Sequence, residues 1–333
     1  MREDSMDTEV TLPEQVIPER RIPLPRHISR EAQDFLNSPL FKSAIQYPAL
    51  EDLDGWRRYI ALNEEGMVQA LRARTANLRF DCTTHALSSA SLYDVVAEEA
   101  DPAAADRAVL YIHGGAYIVG GGEAAKLAAA QIACASGIRN VSLDYRMPPD
   151  HPYPAALEDA VEAYRWMLAR YEPGKIAFYG GSAGANLALI CLLKARDMGL
   201  PMPGALALHS PFSDMTQTGD SFYTNAGVDP ILKERSEDLV TLFARGHDLS
   251  DPLISPAFAD YAGFPPTILT TGTRDLLLSS TVLVHRAMRR AGVRADLHVW
   301  EAMPHGMPHE APEAREMLEE QIAFLRQAIG LPA

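Results

Sequence analysis

A serine, an aspartate and a histidine in this chain have the types, the order and the settings needed for acyl transfer. The serine is Ser182, in "AFYGGSAGANLAL", where it stands between small residues after one apolar run and before another. A serine hydroxyl is a weak nucleophile until a base takes its proton, and the base in turn needs a carboxylate to fix its tautomer. Asp275, in "TTGTRDLLL", and His305, in "EAMPHGM", follow in the order acid then histidine, each just beyond an apolar stretch. That order is the one used when the nucleophile sits on a sharp strand-to-helix turn. Each residue has a plainer reading. Ser182 could belong to a glycine-rich phosphate turn, Asp275 could cap the helix "LLLSSTVLVHRAM", and His298 or His309 could replace His305 as the base. His298 falls inside the strand pattern "ADLHVW", where a packed or edge residue is expected, and His309 begins the last helical segment. The coincidence of three positions favours the catalytic reading.

The elements that must position these groups are legible around them. G-x-S-x-G is a weak signal alone, with about 0.1 chance matches expected in a chain this long, but here it follows the strand "KIAFY" and opens the helix "ANLALICLLKARDMG". In that setting Gly180, Gly181, Ala183 and Gly184 leave room for a tight turn that projects the Ser182 hydroxyl above a sheet. Acyl transfer also needs donors for a developing oxyanion. "YIHGGAYIVGGG" follows the strand "AVLYI", and Gly114 and Gly115 let backbone N–H groups face the site; Ala183 supplies a third N–H. His113 reads as an orienting residue of that loop. The stretch lacks the G-x-G-x-x-G spacing of a dinucleotide loop.

Short apolar runs alternate with helix-length segments after Asp106, with strands at "AVLYIH", "RNVSLDY", "KIAFYG", "GALALHS", "TILTTG" and "ADLHVW". They are preceded by an antiparallel pair, "LRFDCTTHAL" and "ASLYDVVAEE". This pattern predicts an α/β fold with a mostly parallel twisted sheet and helices on both faces. Residues 1–26, charged and rich in proline, read as a flexible arm; residues 27–74 read as cap helices; residues 75–333 form the catalytic domain. An insertion at about 211–252, with a helical pattern from Lys233 to Ala244, breaks the alternation and is expected to cover the site.

Composition narrows the function further. The chain has 333 residues, 47% of them hydrophobic, and a formal net charge of −14. That charge, with lysines and arginines scattered, argues against nucleic acid as a partner. The three cysteines, Cys82, Cys134 and Cys191, are isolated and fit neither a disulfide framework nor a zinc site, which points to a reducing cytoplasm. The acidic N-terminus does not read as a secretory signal, and no apolar stretch reaches membrane-spanning length.

Together "HGGAYIVGG", "DYRMPPDHPYPAALED", "GGSAGANLAL", "GTRDLLL" and "MPHGM" resemble the successive motifs of the hormone-sensitive-lipase-like bacterial esterases of the α/β-hydrolase fold, over roughly Val95 to the C-terminus. The resemblance implies a serine carboxylesterase with the triad Ser182, Asp275 and His305, oxyanion donors Gly114, Gly115 and Ala183, and no cofactor or metal. It also implies that Asp144, Arg146 and Glu158 hold the oxyanion loop, and that a homodimer forms through the last strand and final helix. Two positions depart from the commonest motifs: Ala116 replaces a glycine, and Gly181 replaces an aspartate or threonine. The expected substrate is a small carboxylic ester, short or compact, with Tyr117, Phe212, Phe222 and Met307 lining the pocket. Lactone, amide and thioester hydrolysis use the same triad; a small-molecule receptor on this fold would have lost a triad member, and His305 speaks against that.

Overall fold

The strands form where apolar runs can be buried on both faces, and all eight expected stretches carry one. They are β1 (Phe80–Ala86), β2 (Ser91–Ala97), β3 (Ala108–Ile112), β4 (Arg139–Asp144), β5 (Ile176–Gly181), β6 (Ala205–His209), β7 (Thr267–Gly272) and β8 (Ala295–Trp300). The computed structural model describes residues 19, 21–38, 45–306 and 308–333. Most of the expected arm, and Met307, therefore lie outside the described residues. The strands make one sheet in the order β1-β2-β4-β3-β5-β6-β7-β8. β1 and β2, and β2 and β4, pair antiparallel; every later pairing is parallel. The chain is an α/β-hydrolase fold.

Side chains alternate across the parallel strands and supply two cores. Leu110, Ile112, Phe178, Leu206, Leu208 and Leu269 face one layer, which holds α4 (Ala155–Leu168), α5 (Ala183–Asp197) and α8 (Leu278–Arg290). Val109, Ala177, Tyr179, Ala205, Ala207 and Ile268 face the other, against α3 (Gly122–Ser136) and α9 (Pro312–Ala328). Helix α5 is buried at every residue from Ala183 to Leu193, which explains its lack of a polar face. Each fully buried Leu, Ile or Phe contributes about 1.5–3 kcal/mol of transfer free energy. The central strand β5 is thereby held rigidly, and Ser182 follows directly from its end.

Two helices precede the sheet: α1 (Arg30–Leu36) and α2 (Leu53–Thr75). Ser29 caps α1 by accepting from the Ala32 N–H at 3.1 Å, and its own N–H and hydroxyl donate to Glu313, both at 2.7 Å. Helix α2 is capped by Asp52 and lies across the mouth of the fold. Its Trp56 is fully buried, packs with Ile118, Val119, Leu239 and Leu242, and stacks on Tyr47 at 5.5 Å. Further along, Leu71 packs on Ala124 and Leu127 of α3.

The insertion carries α6 (Ser221–Thr224) and α7 (Glu237–Ala244). Helix α7 starts four residues later than the pattern from Lys233 suggested. Lys233 has φ +49°, outside helical geometry, and Ser236 accepts from the Leu239 N–H as the N-cap.

Candidate active site

Ser182 occupies a strained turn at the carboxyl end of β5, with φ 55° and ψ −121°. Such a conformation is maintained only by its surroundings. The turn is pinned by Ser182 N–H donating to the His209 carbonyl at 2.8 Å and by the Ser182 carbonyl accepting from Phe212 and Asn186, each at 3.1 Å. Gly184 is required because a Cβ there would lie 2.1 Å from the Ile112 carbonyl oxygen; at Gly180 a Cβ would meet the Gly184 carbonyl at 2.7 Å. Gly181 differs from the expectation that all these residues must be small. A Cβ there would meet nothing closer than 3.8 Å.

Asp275 follows β7 and is completely buried. Its Oδ1 accepts from His305 Nδ1–H at 3.2 Å and from the Leu277 N–H at 2.8 Å. Its Oδ2 accepts from the Thr271 hydroxyl at 2.9 Å and from the Ser210 hydroxyl in a short contact. Burial alone would raise the carboxyl, but His305 and these donors outweigh it and hold it down to about 2. Capping the turn before α8 and orienting a histidine are thus both tasks of this one side chain. Burial would lower His305, yet the Asp275 charge and hydrogen bond, with Asp229 behind, leave its imidazole raised. With Nδ1–H committed to Asp275, Nε2 is the nitrogen left to act as base.

The loop after β3 approaches from the other side. A Cβ on Gly114 would lie 3.4 Å from the Ser182 Cβ. Gly115 adopts φ +112°, and its carbonyl accepts from the N–H groups of Ile118 and Val119 at 2.9 and 3.0 Å. Among the described residues the N–H groups of Gly114 and Gly115 donate to nothing, and Ala183, first in α5, has no intrahelical acceptor for its N–H. His113 holds this loop from below: Nδ1–H donates to the Gly114 carbonyl at 2.8 Å, and the ring stacks on Tyr145 at 4.1 Å. Burial pushes that imidazole down to about 4, so it is neutral. Asp144 accepts from the Gly122 N–H at 2.9 Å. The main partner of Arg146 is Asp159, fully buried in α4, rather than Glu158, which touches it at 3.2 Å from an exposed position.

Ser182 and His305 front one cavity of about 340 Å³. Phe212 and Phe222 line it, with Tyr47, Tyr59 and Met67 from the N-terminal segment and Leu239 from the insertion. Tyr117 does not. Its left-handed backbone, φ +62°, sends the ring into the core, stacked on Phe243 at 4.0 Å with the hydroxyl donating to Asn186 at 2.7 Å. Of the other histidines, His298 pairs with Glu320 at the sheet edge, and His309 lies before α9. Sequence reasoning missed Ser210, Thr271, Asp229 and His209. Ser210 and Thr271 end or follow strands, where reactive groups gather, but nothing in their spacing marks them. Among the described residues no group of three or more His, Cys, Asp or Glu could hold a metal ion.

Comparison with known proteins agrees with this fold. The α/β hydrolase fold family matches residues 109–309. An acetyl-hydrolase of Streptomyces hygroscopicus is 35% identical over 240 residues, 70% of this chain and 80% of that protein. A crystal structure of an esterase superposes with a TM-score of 0.84 at 38% identity, covering 94% of this chain and 98% of its own. An esterase from the bacterial hormone-sensitive lipase family superposes with a TM-score of 0.75 at 33% identity, covering 86% of this chain and all of its own. The chain belongs to the hormone-sensitive-lipase-like family of α/β hydrolases.

Proposed function

We propose that this enzyme, which acts on carboxylic ester bonds, does so through Ser182, His305 and Asp275 by way of an acyl-enzyme. His305 Nε2 takes the Ser182 proton as Oγ attacks the ester carbonyl. The carbonyl oxygen, gaining negative charge, is received by the N–H groups of Gly114, Gly115 and Ala183. The protonated histidine then delivers its proton to the leaving alcohol. Water repeats the sequence on the acyl-enzyme and frees the acid. The observation that carries this reading is a strained serine sharing a cavity with a histidine whose Nδ1 is committed to a buried carboxylate.

The pocket supports short or compact esters. Its volume lies near the lower end of the roughly 300–1,000 Å³ usual for ligand sites, and Phe212 and Phe222 stand on its wall. We assign residues 27–74 and the insertion at about 211–252 as the cap, because both contribute to that wall. In a series of p-nitrophenyl esters kcat/KM should peak at about two to eight acyl carbons; a maximum beyond about twelve would overturn the pocket assignment. A fluorophosphonate probe should label Ser182, and a parallel panel of esters, lactones and amides should show esters turned over fastest. A lactone or amide preference would keep the triad and change the substrate. No described helix is long and apolar enough to cross a membrane, and we place the enzyme in the cytoplasm on its isolated cysteines. The edge position of β8, where Val299 is 44% exposed, supports a two-fold dimer through β8 and α9. Light scattering showing a monomer at micromolar concentration would overturn that.

A further inference from the structure

Beyond the side-chain triad, the peptide unit of His305 is gripped on both sides. Its N–H donates to Asp229 Oδ2 at 3.2 Å, and its carbonyl accepts from His209 Nε2 at 3.0 Å. Asp229 sits in the insertion and is 1% exposed. The same Oδ2 accepts the N–H of Leu276, the residue after Asp275, at 2.9 Å. Its Oδ1 accepts from Ile231 at 2.8 Å and Leu232 at 3.3 Å. One carboxylate thus joins the insertion, the acid loop and the histidine loop through four backbone N–H groups.

His209, at the end of β6, is fixed by a chain with a single direction. The Tyr179 hydroxyl donates to Gln321 Oε1 at 2.7 Å, and Gln321 Nε2 donates to the Thr270 hydroxyl at 2.8 Å. Thr270 then has its one proton for His209 Nδ1, 3.0 Å away. A carbonyl can only accept, so the His209 proton must be on Nε2, pointing at His305. Every link of the chain is satisfied by one tautomer of a neutral ring. Burial also pushes this imidazole down, in keeping with neutrality.

We infer that Asp229 and His209 are positioning residues that clamp the main chain of the base, so that rotation of the His305 ring against Asp275 takes place about a fixed backbone. The inference rests on His305 being the base. The groups facing its ring are Asp275, Asp229 and His209; Asp229 also contributes a negative charge that favours the imidazolium. Loss of the grip misplaces Nε2 relative to Ser182; Asp229 also holds the N–H groups of Ile231, Leu232 and Leu276 on the cavity wall, and an asparagine there keeps one oxygen for Ile231 and Leu232.

The test uses the full-length enzyme and p-nitrophenyl butyrate. Asp229→Asn should lower kcat by about 10–100-fold with KM within about threefold, since misplacement by an ångström can cost that much. Without the Asp229 charge the acid limb of its kcat/KM profile should move to lower pH. His209→Phe, which keeps a ring but loses the donor, should lower kcat about tenfold, and His209→Gln, which returns an N–H near the Nε2 position, should recover most of it. Thermal unfolding identifies which variants are folded, and the His209 pair decides the matter if Asp229→Asn is not. Folded variants with kcat within about threefold of the parent overturn the clamp, as does a His209→Gln enzyme no better than His209→Phe. Ser182→Ala separates the two levels: if it retains activity, the triad reading itself fails, whereas its inactivity beside fully active clamp variants removes only the clamp.

Discussion

Replacing Gly114 by alanine should weaken catalysis far more than it weakens the fold. The added Cβ would stand 2.8 Å from the Gly181 carbonyl oxygen, about 0.6 Å inside the 3.4 Å at which ordinary contact begins. Neither neighbour can yield freely. Gly181 is the last residue of β5, paired with His209 of β6, and Ser182 is held by three backbone hydrogen bonds. Most of the displacement therefore falls on the loop after β3, which carries the N–H groups assigned to the oxyanion. Complete loss of one such donor costs about 10²–10³ in kcat, and a shift of half an ångström or more should approach the lower figure. KM for p-nitrophenyl butyrate should change by less than about threefold, because the bound ester does not bear the charge that the hole receives. The global cost should be that of modest overpacking, about 1–3 kcal/mol, seen as a fall of a few degrees in Tm. Gly181→Ala is the control, with its Cβ at 3.8 Å from His209 and kcat expected within about threefold of the parent. A Gly114→Ala enzyme with parental kcat would refute the placement of the oxyanion donors.

Ser182→Ala should reduce kcat by several orders of magnitude with the melting curve unchanged, and Asp275→Asn by about 10⁴-fold; stopped assays over days can measure both residual rates. His305 must be neutral to accept a proton and is raised above its usual 6.5, so kcat/KM should fall as pH drops through a midpoint above 6.5. Asp275, held to about 2, stays ionised across that limb, and a midpoint below 6 would contradict the pairing. Deleting residues 1–20 should leave kcat/KM within about twofold, whereas deletion through Arg74 removes Trp56, Tyr59 and Met67 and should abolish or broaden activity; a fully active long truncation would remove the cap assignment.

The sheet was legible because parallel strands buried on both faces read as short, mostly apolar runs, as in "AVLYI" and "IAFYG". Their spatial order was not, since β4 and β3 exchange places through crossovers that no local pattern records. The turn at Ser182 was legible because a strained backbone imposes small neighbours at defined places, Gly180 and Gly184. Asp229 was not, because its partners are main-chain groups at positions 276 and 305, and "GVDPIL" reads only as a turn. Arg146 shows the intermediate case. Glu158 and Asp159 are adjacent, but only Asp159 lies on the buried face of α4, and a one-residue difference in helical phase decides which carboxylate is met. Tyr117 stands beside the right loop yet points the other way, a consequence of a positive φ that a non-glycine residue seldom advertises.

Helix α2 does more than roof the cavity. Its Glu64 accepts the Gly120 N–H at 2.6 Å, and its Trp56 packs on Ile118 and Val119, all within the segment that begins with Gly114 and Gly115. The roof and the loop assigned to the oxyanion are therefore one mechanical part. A hinge that swung α2 outward to admit a larger ester would drag on that loop while it opened the door, so breadth of substrate and sharpness of catalysis would trade against each other through Glu64, Trp56 and the α2 side chains Tyr59, Ile60 and Met67 packed beside them. Grafting a relative's N-terminal segment onto this body would accordingly need Ile118, Val119 and Gly120 to travel with it.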